Sequence, residues 1–476
     1  MAESPSPHRL RRTLRSRQLT MIGIGGAIGT GLFLGSSLAI SHAGPAVVLA
    51  YVLCGLVALV ISWALAEMAV VHPAAGAFGS IAHQYLGAGS GFVVRWAYWA
   101  MQVIAIGGET IAAGVYVQYW WPQIPLRVPV AVFSLLVIVV NGAAVHIFGE
   151  CEYWFAMIKV CAILVFVALG LILVFFGLPH APAPGVTNLT HGFLPNGMSG
   201  LLLAMVFVLF SYIGTEVVSV TAAESENPTR DVPRAARAMV LRLAVFYVAA
   251  MLIVVLVVPW TVTGEGGSIT ASPFVRVFQA AGIPAAATVM NFVVLTAALS
   301  SANTNLYLTT RMLHSLAEHR FAPAWAGRLT RAGVPRNALV LSTAGLIIAT
   351  VLSKNSASSA YLVLFGISVF AALVVWMIIL ATHLAFRIRR RRAGLPPSPV
   401  RLWGAPVVNV MVIVFLATVL VSTFWIDGLD PAWKFGIPFF ALLVVVYLAL
   451  RATGRSKRTA VEELEDSTVL PVREQA

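Results

Sequence analysis

The chain has 476 residues, of which 59% are hydrophobic and 10% charged, with a formal net charge of +13. Ordinary soluble domains are about 45–50% apolar and roughly 25% charged, whereas here no charge lies between Arg17 and Glu67, Lys159 and Glu216, or Arg276 and Arg311. Each gap accommodates one or two spans of ~20 apolar residues, which excludes a soluble enzyme, a disordered chain and a nucleic-acid binder and leaves a polytopic helical membrane protein.

Residues 1–18 form a basic, Ser/Pro-rich tail, and the apolar stretch that follows is too long for a cleavable signal peptide. Apolar spans are predicted near 19–41, 45–71, 92–120, 128–147, 153–177, 199–222, 239–262, 285–314, 337–353, 358–386, 404–425 and 434–450. Residues 451–476, with Glu462, Glu463, Glu465 and Asp466, read as a second polar tail. With these spans, 25 of the 31 Lys and Arg residues fall on the side of the N-terminus. Arg127, Arg276, Lys354 and Lys434 fall opposite, while Arg95 and Lys159 lie in or at the mouth of spans. Such a bias places both termini in the cytoplasm, with anionic lipid headgroups as the partner of the basic segments. Cys54, Cys151 and Cys161 lie in or beside spans and have no Cys/His ligand spacing, so neither disulfides nor a metal site nor a cofactor is expected.

Two spans break the pattern. The first carries GIGGAIGTGLF, with Gly23, Gly25, Gly26, Gly29, Gly31 and Gly35. Each glycine costs ~1 kcal/mol against alanine in a helix. Tight packing through small residues is one reading. The other is a helix unwound over about Ala27–Gly31, which survives in a membrane only around a polar ligand or cavity. The sixth span repeats the anomaly in VLFSYIGTEVVSVTAAE, where Gly214 follows Ser211 and Tyr212 and precedes Thr215 and Glu216. Breaks opening two sets of five spans are the pattern of an inverted repeat with its site at the midplane. Repeat one would cover about 19–177, repeat two about 199–386, and two further helices about 404–450 within a single domain at 19–450.

Charges inside spans are expensive and face a partner or a cavity. Glu109 lies mid-way along the third span and serves either as a structural hydrogen-bond partner or at a cavity or proton path, with Ile106 one turn before it on the same face. Lys159 is the one lysine within a span, while Glu150 and Glu152, just before it, read as headgroup-level charges. Glu216 either relays protons or caps N–H groups freed by the second break. Glu67 lies near the end of span 2, where a membrane-edge charge is cheap. Glu224 and Glu226 end span 6 with Arg230 and Arg234 close behind in sequence, a block that makes either a cytoplasmic salt-bridge gate or a plain solvated loop. Trp120, Trp121, Trp260, Trp403, Trp425 and Trp433 read as interface anchors. Phe210 flanks the second break and is assigned as a lid. No P-loop, nucleophile or metal motif equips the chain as a pump or hydrolase.

The stretches RQLTMIGIGGAIGTGLFLGSSLAISHAGP at 17–45, LAEMAVVHPAAGAFGSIAHQYLG at 65–87, FGECEYWFAMIKV at 148–160 and FSYIGTEVVSVTAAESENPTRDVPRA at 210–235 give the chain a specific likeness. It resembles bacterial amino acid permeases of the amino acid–polyamine–organocation superfamily, in the amino acid transporter branch, from about residue 16 to 450. The resemblance implies a leucine-transporter-like fold of twelve helices with alternating access. It implies a substrate carboxylate on backbone amides matching Gly29, Thr30 and Gly31, and an ammonium on carbonyls matching Phe210, Ser211 and Ile213 before Gly214. Helix physics agrees, since an N-terminal end offers N–H donors and a C-terminal end offers carbonyls. A zwitterion fits between the two. The resemblance also makes Lys159 the stand-in for a coupling ion, against its reading as a permanent structural cation. The expected function is proton-symport import of an amino acid, neutral for preference, across the cytoplasmic membrane. A γ-aminobutyrate, aromatic or cationic amino acid substrate stays open, as does a non-transporting amino acid sensor on the same fold.

Overall fold

The structure is a computed structural model, and it describes residues 28–72, 77–142, 145–177, 183–190, 192–216, 228–263, 272–318, 320–330, 334–354 and 356–452. Most of these residues are helical, and no strand occurs among them. A wide π turn at Gly31–Gly35 runs into α1 (Ser36–Ala43), which stops where Gly44 takes φ 57 and Pro45 follows. Then come α2 (Val47–Val71), α3 (Ala77–Leu86), α4 (Ala88–Gln118), α5 (Arg127–Gly142) and α6 (Val145–Phe176). The second half brings α7 (Gly197–Ser211), α8 (Pro228–Val257), α9 (Pro273–Ala280) and α10 (Pro284–Glu318). It ends with α11 (Arg336–Ser342), α12 (Ala344–Leu352), α13 (Ala357–Arg392), α14 (Val407–Ser422) and α15 (Asp430–Ala452).

Seven described stretches are long and apolar enough to cross a membrane: Gly31–Val71, Ala88–Gln118, Glu150–Phe176, Pro284–Glu318, Ala357–Arg392, Val407–Trp425 and Asp430–Ala452. Shorter apolar helices cover Arg127–Gly142, Gly197–Ser211, Ala244–Val257 and Arg336–Leu352. Each predicted span overlaps one of these stretches, the first two sharing Gly31–Val71. The chain is therefore a multi-pass membrane protein, and its described residues contain helices and no strand.

Burial sorts the helices into an inner and an outer set. The long α4 is buried along most of its length and packs against α10, α12 and α13. Two further pairings hold the breaks together: α1, which follows the first break, packs on α7, which leads into the second, and α2 packs on α8. By contrast α15 exposes Leu442, Val445 and Leu448 to the surroundings, as a lipid-facing helix should. Of the expected interface anchors, Trp403 and Trp425 are largely exposed and Trp121 half so.

Glu67 is not the cheap membrane-edge charge that its position suggests. It is 2% exposed and accepts from Arg387 twice, Nε to Oε1 at 2.9 Å and Nη2 to Oε2 at 2.8 Å. The Leu402 amide donates to Oε2 at 2.6 Å, and Nε2 of His383 lies 3.0 Å from the same oxygen. This cluster ties α2 to α13 and to the segment leading into α14. Because α13 passes beside the end of α2, the charge meets protein where a bare helix end would meet water. Glu67→Ala should destabilise the protein by about 3 kcal/mol, the lower end for a broken buried pair because Arg387 is a quarter exposed. Thermal unfolding of purified wild type and variant checks this, and an unchanged midpoint removes the cluster from the stability account.

Candidate functional site

The segment predicted to break first is described only from Ile28 onward, with Ala27 and the residues before it outside the described set. Ile28 and Gly29 are bent and non-helical, and helical backbone resumes at Thr30. Backbone groups released by the bend are taken by ionisable side chains from other helices. The Thr30 amide donates to Glu109 Oε2 at 3.2 Å, and the Ile28 carbonyl accepts from Lys159 Nζ at 3.1 Å. Gly29 lies under the Glu109 carboxylate. A Cβ there would sit 2.7 Å from Glu109 Oε1 and 2.6 Å from Ser301 Oγ.

At the second break α7 ends at Ser211, and Tyr212–Glu216 form turns. The amides of Tyr212, Ile213 and Thr215 donate to the carbonyls of Leu209, Phe210 and Tyr212 at 3.0–3.3 Å. Gly214 has φ 101, a region that favours glycine. Its amide donates to Glu216 Oε2 at 3.0 Å, so the buried Glu216 caps the break. The continuation of this span and the Glu224–Arg234 segment expected to gate it lie outside the described side chains.

The two breaks touch. A Cβ on Gly31 would lie 2.8 Å from Ser211 Cα and 3.0 Å from its amide nitrogen, so only glycine permits this approach without backbone movement. Beside the contact is a small cavity lined by Gly29, Gly31, Phe210, Ser211 and Ile213 from the breaks. Met101, Gln102, Ala105 and Glu109 of α4, with Ser301 and Asn305 of α10, complete it. Phe210 closes one side, its ring 4.7 Å from that of Phe365. The N-terminal end of the π turn and the C-terminal end of α7 thus meet at one point.

Three expected site residues are placed differently. Ile106 points away from the cavity into a small apolar cluster with Val137, Ala302, Leu306, Leu339 and Leu346. Its spacing to Glu109 is correct, but α4 is covered on every side, and the cavity takes the face of Gln102, Ala105 and Glu109. Gly214 does not line the cavity, because its amide turns to Glu216. Thr30 offers no free amide, since Glu109 occupies it.

Lys159 is fully buried, and so is Glu152, which is therefore no headgroup charge. The helix starts before the predicted span, at Val145, and carries Glu152 inward, whereas Glu150 is exposed. Lys159 Nζ donates to Ser300 Oγ at 2.8 Å, and Ser300 Oγ donates in turn to Glu152 Oε1. Asn303 Nδ2 donates to Glu152 Oε2 at 3.3 Å, and Asn303 Oδ1 accepts from Asn141 Nδ2 at 2.7 Å. Adjacent serines of α10 therefore each hold one carboxylate: Ser300 holds Glu152, and Ser301 Oγ donates to Glu109 Oε1 at 2.9 Å.

Glu152→Gln should leave the Lys159 ammonium without its nearest counter-charge, at a cost of about 3–5 kcal/mol. Combining it with Lys159→Met should restore most of the lost thermal stability. If the single variant melts with wild type, the two residues are not a charge pair.

No cluster of metal ligands occurs among the described residues. A family model described as Amino acid permease matches residues 18–456. The chain is 37% identical over 466 residues to the gamma-aminobutyric acid permease of Bacillus subtilis (strain 168), covering 97% of this chain and 98% of that protein. It is also 37% identical over 434 residues to the aromatic amino acid transport protein AroP of Escherichia coli O157:H7, covering 89% and 93%.

Proposed function

Because the chain belongs to the amino acid permease family, we propose that it imports neutral amino acids across the cytoplasmic membrane by proton symport. It is a transporter family, not an enzyme family, so the chemistry to explain is binding and release. The observation that carries the reading is the meeting of two helix ends of opposite polarity beside one cavity. A substrate carboxylate is assigned to the amides at Gly29–Gly31, and its ammonium to the carbonyls between Phe210 and Ile213. Phe210 is the lid. Met101, Gln102, Ala105 and Asn305 contribute neutral atoms around the side chain. Glu109, the one carboxylate among the described lining residues, is already held by the Thr30 amide and Ser301, which favours a neutral substrate over a cationic one.

Alternating access in this reading uses twelve spans arranged as two inverted sets of five plus two, with both termini in the cytoplasm. The basic segments then meet anionic headgroups. Lys159 stands in for a coupling cation, since its ammonium already holds a carbonyl of the first break. A sodium-independent mechanism driven by protons follows.

Purified protein in sodium-free proteoliposomes, given an inside-alkaline pH gradient, tests this directly. Radiolabelled neutral amino acids should accumulate inside and collapse to equilibrium on addition of a protonophore. Unlabelled γ-aminobutyrate, aromatic and cationic amino acids as competitors then define the side-chain pocket. Uptake that requires sodium, or none under any gradient, defeats the proposal.

A further inference from the structure

We propose that Glu109 is a built-in competitor for the substrate carboxylate, and that protonation of Glu109 opens the carboxylate site. The inference rests on the reading that the carboxylate binds at Gly29–Gly31. A carboxylate already sits there: Glu109 Oε2 takes the Thr30 amide, and Oε1 lies directly over the place where a Gly29 side chain would be. One N–H of a helix end cannot serve two ionised carboxylates in so small a cavity. Their oxygens would stand within contact distance of each other, where like charges interact most strongly.

The exchange balances in atoms and charge. A proton from the aqueous side forms an O–H bond on the Glu109 carboxylate, and no other bond is made or broken. The neutral acid is a weaker acceptor than the anion, so the Thr30 amide is released to the incoming carboxylate. Ser301 Oγ remains beside Glu109 as a partner for the acid proton. The substrate carboxylate replaces the negative charge that Glu109 gives up. The ammonium of Lys159, anchored on the neighbouring Ile28 carbonyl, therefore faces Glu152 and one further anion both before and after binding.

The other ionisable groups facing Glu109 are Lys159 from α6, Tyr361 from α13 and Tyr116 from its own helix. Among the described residues α10 contributes only neutral side chains at this point, namely Ser301 and Asn305. No second carboxylate shares the Thr30 amide. Substrate binding is thus linked to uptake of a proton at Glu109, and affinity rises as pH falls.

The opposite sign is what other roles of Glu109 demand. If its carboxylate held the substrate ammonium, neutralising it would weaken binding. Scintillation proximity binding to detergent-purified protein, across a pH series, separates the two. The probe is the radiolabelled neutral amino acid that wild type accumulates best in proteoliposomes. Wild-type affinity should strengthen towards acid, and Glu109→Gln should bind at least as tightly as wild type at its acid limit, with a flat pH profile. Accumulation driven by the pH gradient should be lost in the same variant. Ser301→Ala, which removes the second anchor of the competing carboxylate, should tighten binding at alkaline pH and serves as the readout if Glu109→Gln does not fold.

Weaker binding in Glu109→Gln, or a pH dependence that survives it, overturns the proposal. Wild type that fails to accumulate any probe under a proton gradient overturns the symport reading instead. The two failures are therefore distinct.

Discussion

Lys159→Ala should reach the membrane, fold, and lose all accumulation driven by a pH gradient. Removing a charged side chain from mid-span eases insertion by up to ~3 kcal/mol, and the short Ser300 contact to Glu152 does not depend on the lysine. What disappears is the cation set between two carboxylates, Glu109 and Glu152, and against the Ile28 carbonyl. With the cation gone, nothing links these carboxylates to the carbonyl of the first break, so proton entry is no longer tied to movement of that segment. Substrate counterflow, which moves no net charge, should persist at a reduced rate. The decisive comparison is counterflow against gradient-driven uptake in the same vesicles. Accumulation that survives in the variant removes Lys159 from the coupling step.

Gly31→Leu should abolish binding while leaving the protein folded. The missing side chain at Gly31 is what lets the first break lie against Ser211 and Phe210 of the second. A leucine pushes against backbone atoms, which cannot rotate away, and so separates the two helix ends that have to grip one small molecule. Losing two hydrogen bonds to a charged group, each worth about 1.5–3 kcal/mol, weakens binding by about 100-fold or more. Gly29→Ala is the graded companion. Its neighbours are the ends of the Ser301 and Glu109 side chains, which can shift, so a smaller loss is expected. A monodisperse Gly31→Leu protein that binds with wild-type affinity places the carboxylate elsewhere.

The membrane character, the breaks and the buried charges were legible because each violates a strong rule. Glycine clusters are costly in helices, and ionisable groups are costly in spans. Glu109, Lys159 and Glu216 stood out for that reason. The residues that answer these charges gave a fainter signal. Ser300, Ser301, Asn303 and Asn305 are small and neutral, and a span tolerates them without comment. Five polar residues within SSANTN at 300–305 were nevertheless a readable anomaly in an apolar helix.

Ile106 and Glu152 show two different limits. Periodicity reports which residues share a face of a helix. It does not say which face meets a cavity when the helix is covered all round, as α4 is. Glu152 was misplaced by a boundary, since hydropathy finds the apolar stretch whereas the helix begins earlier, at Val145. A charge two turns inside a helix then reads as lying outside it.

The length of α13 has a consequence for depth in the bilayer. At 36 residues it is about 54 Å long, against a hydrocarbon layer of about 30 Å. Much of the helix therefore stands outside the oil, and Arg389, Arg390, Arg391 and Arg392 occupy its last turn. Drawing an arginine into the hydrocarbon centre costs about 2.5–3.5 kcal/mol, so four in succession act as a stop collar. The collar sets how far the rod can slide, and Arg387 just above it sets the height of the partner helix through Glu67. Vertical register between these two helices is thus gauged from the headgroup plane, and a bilayer of different thickness would change their tilt before it changed their pairing.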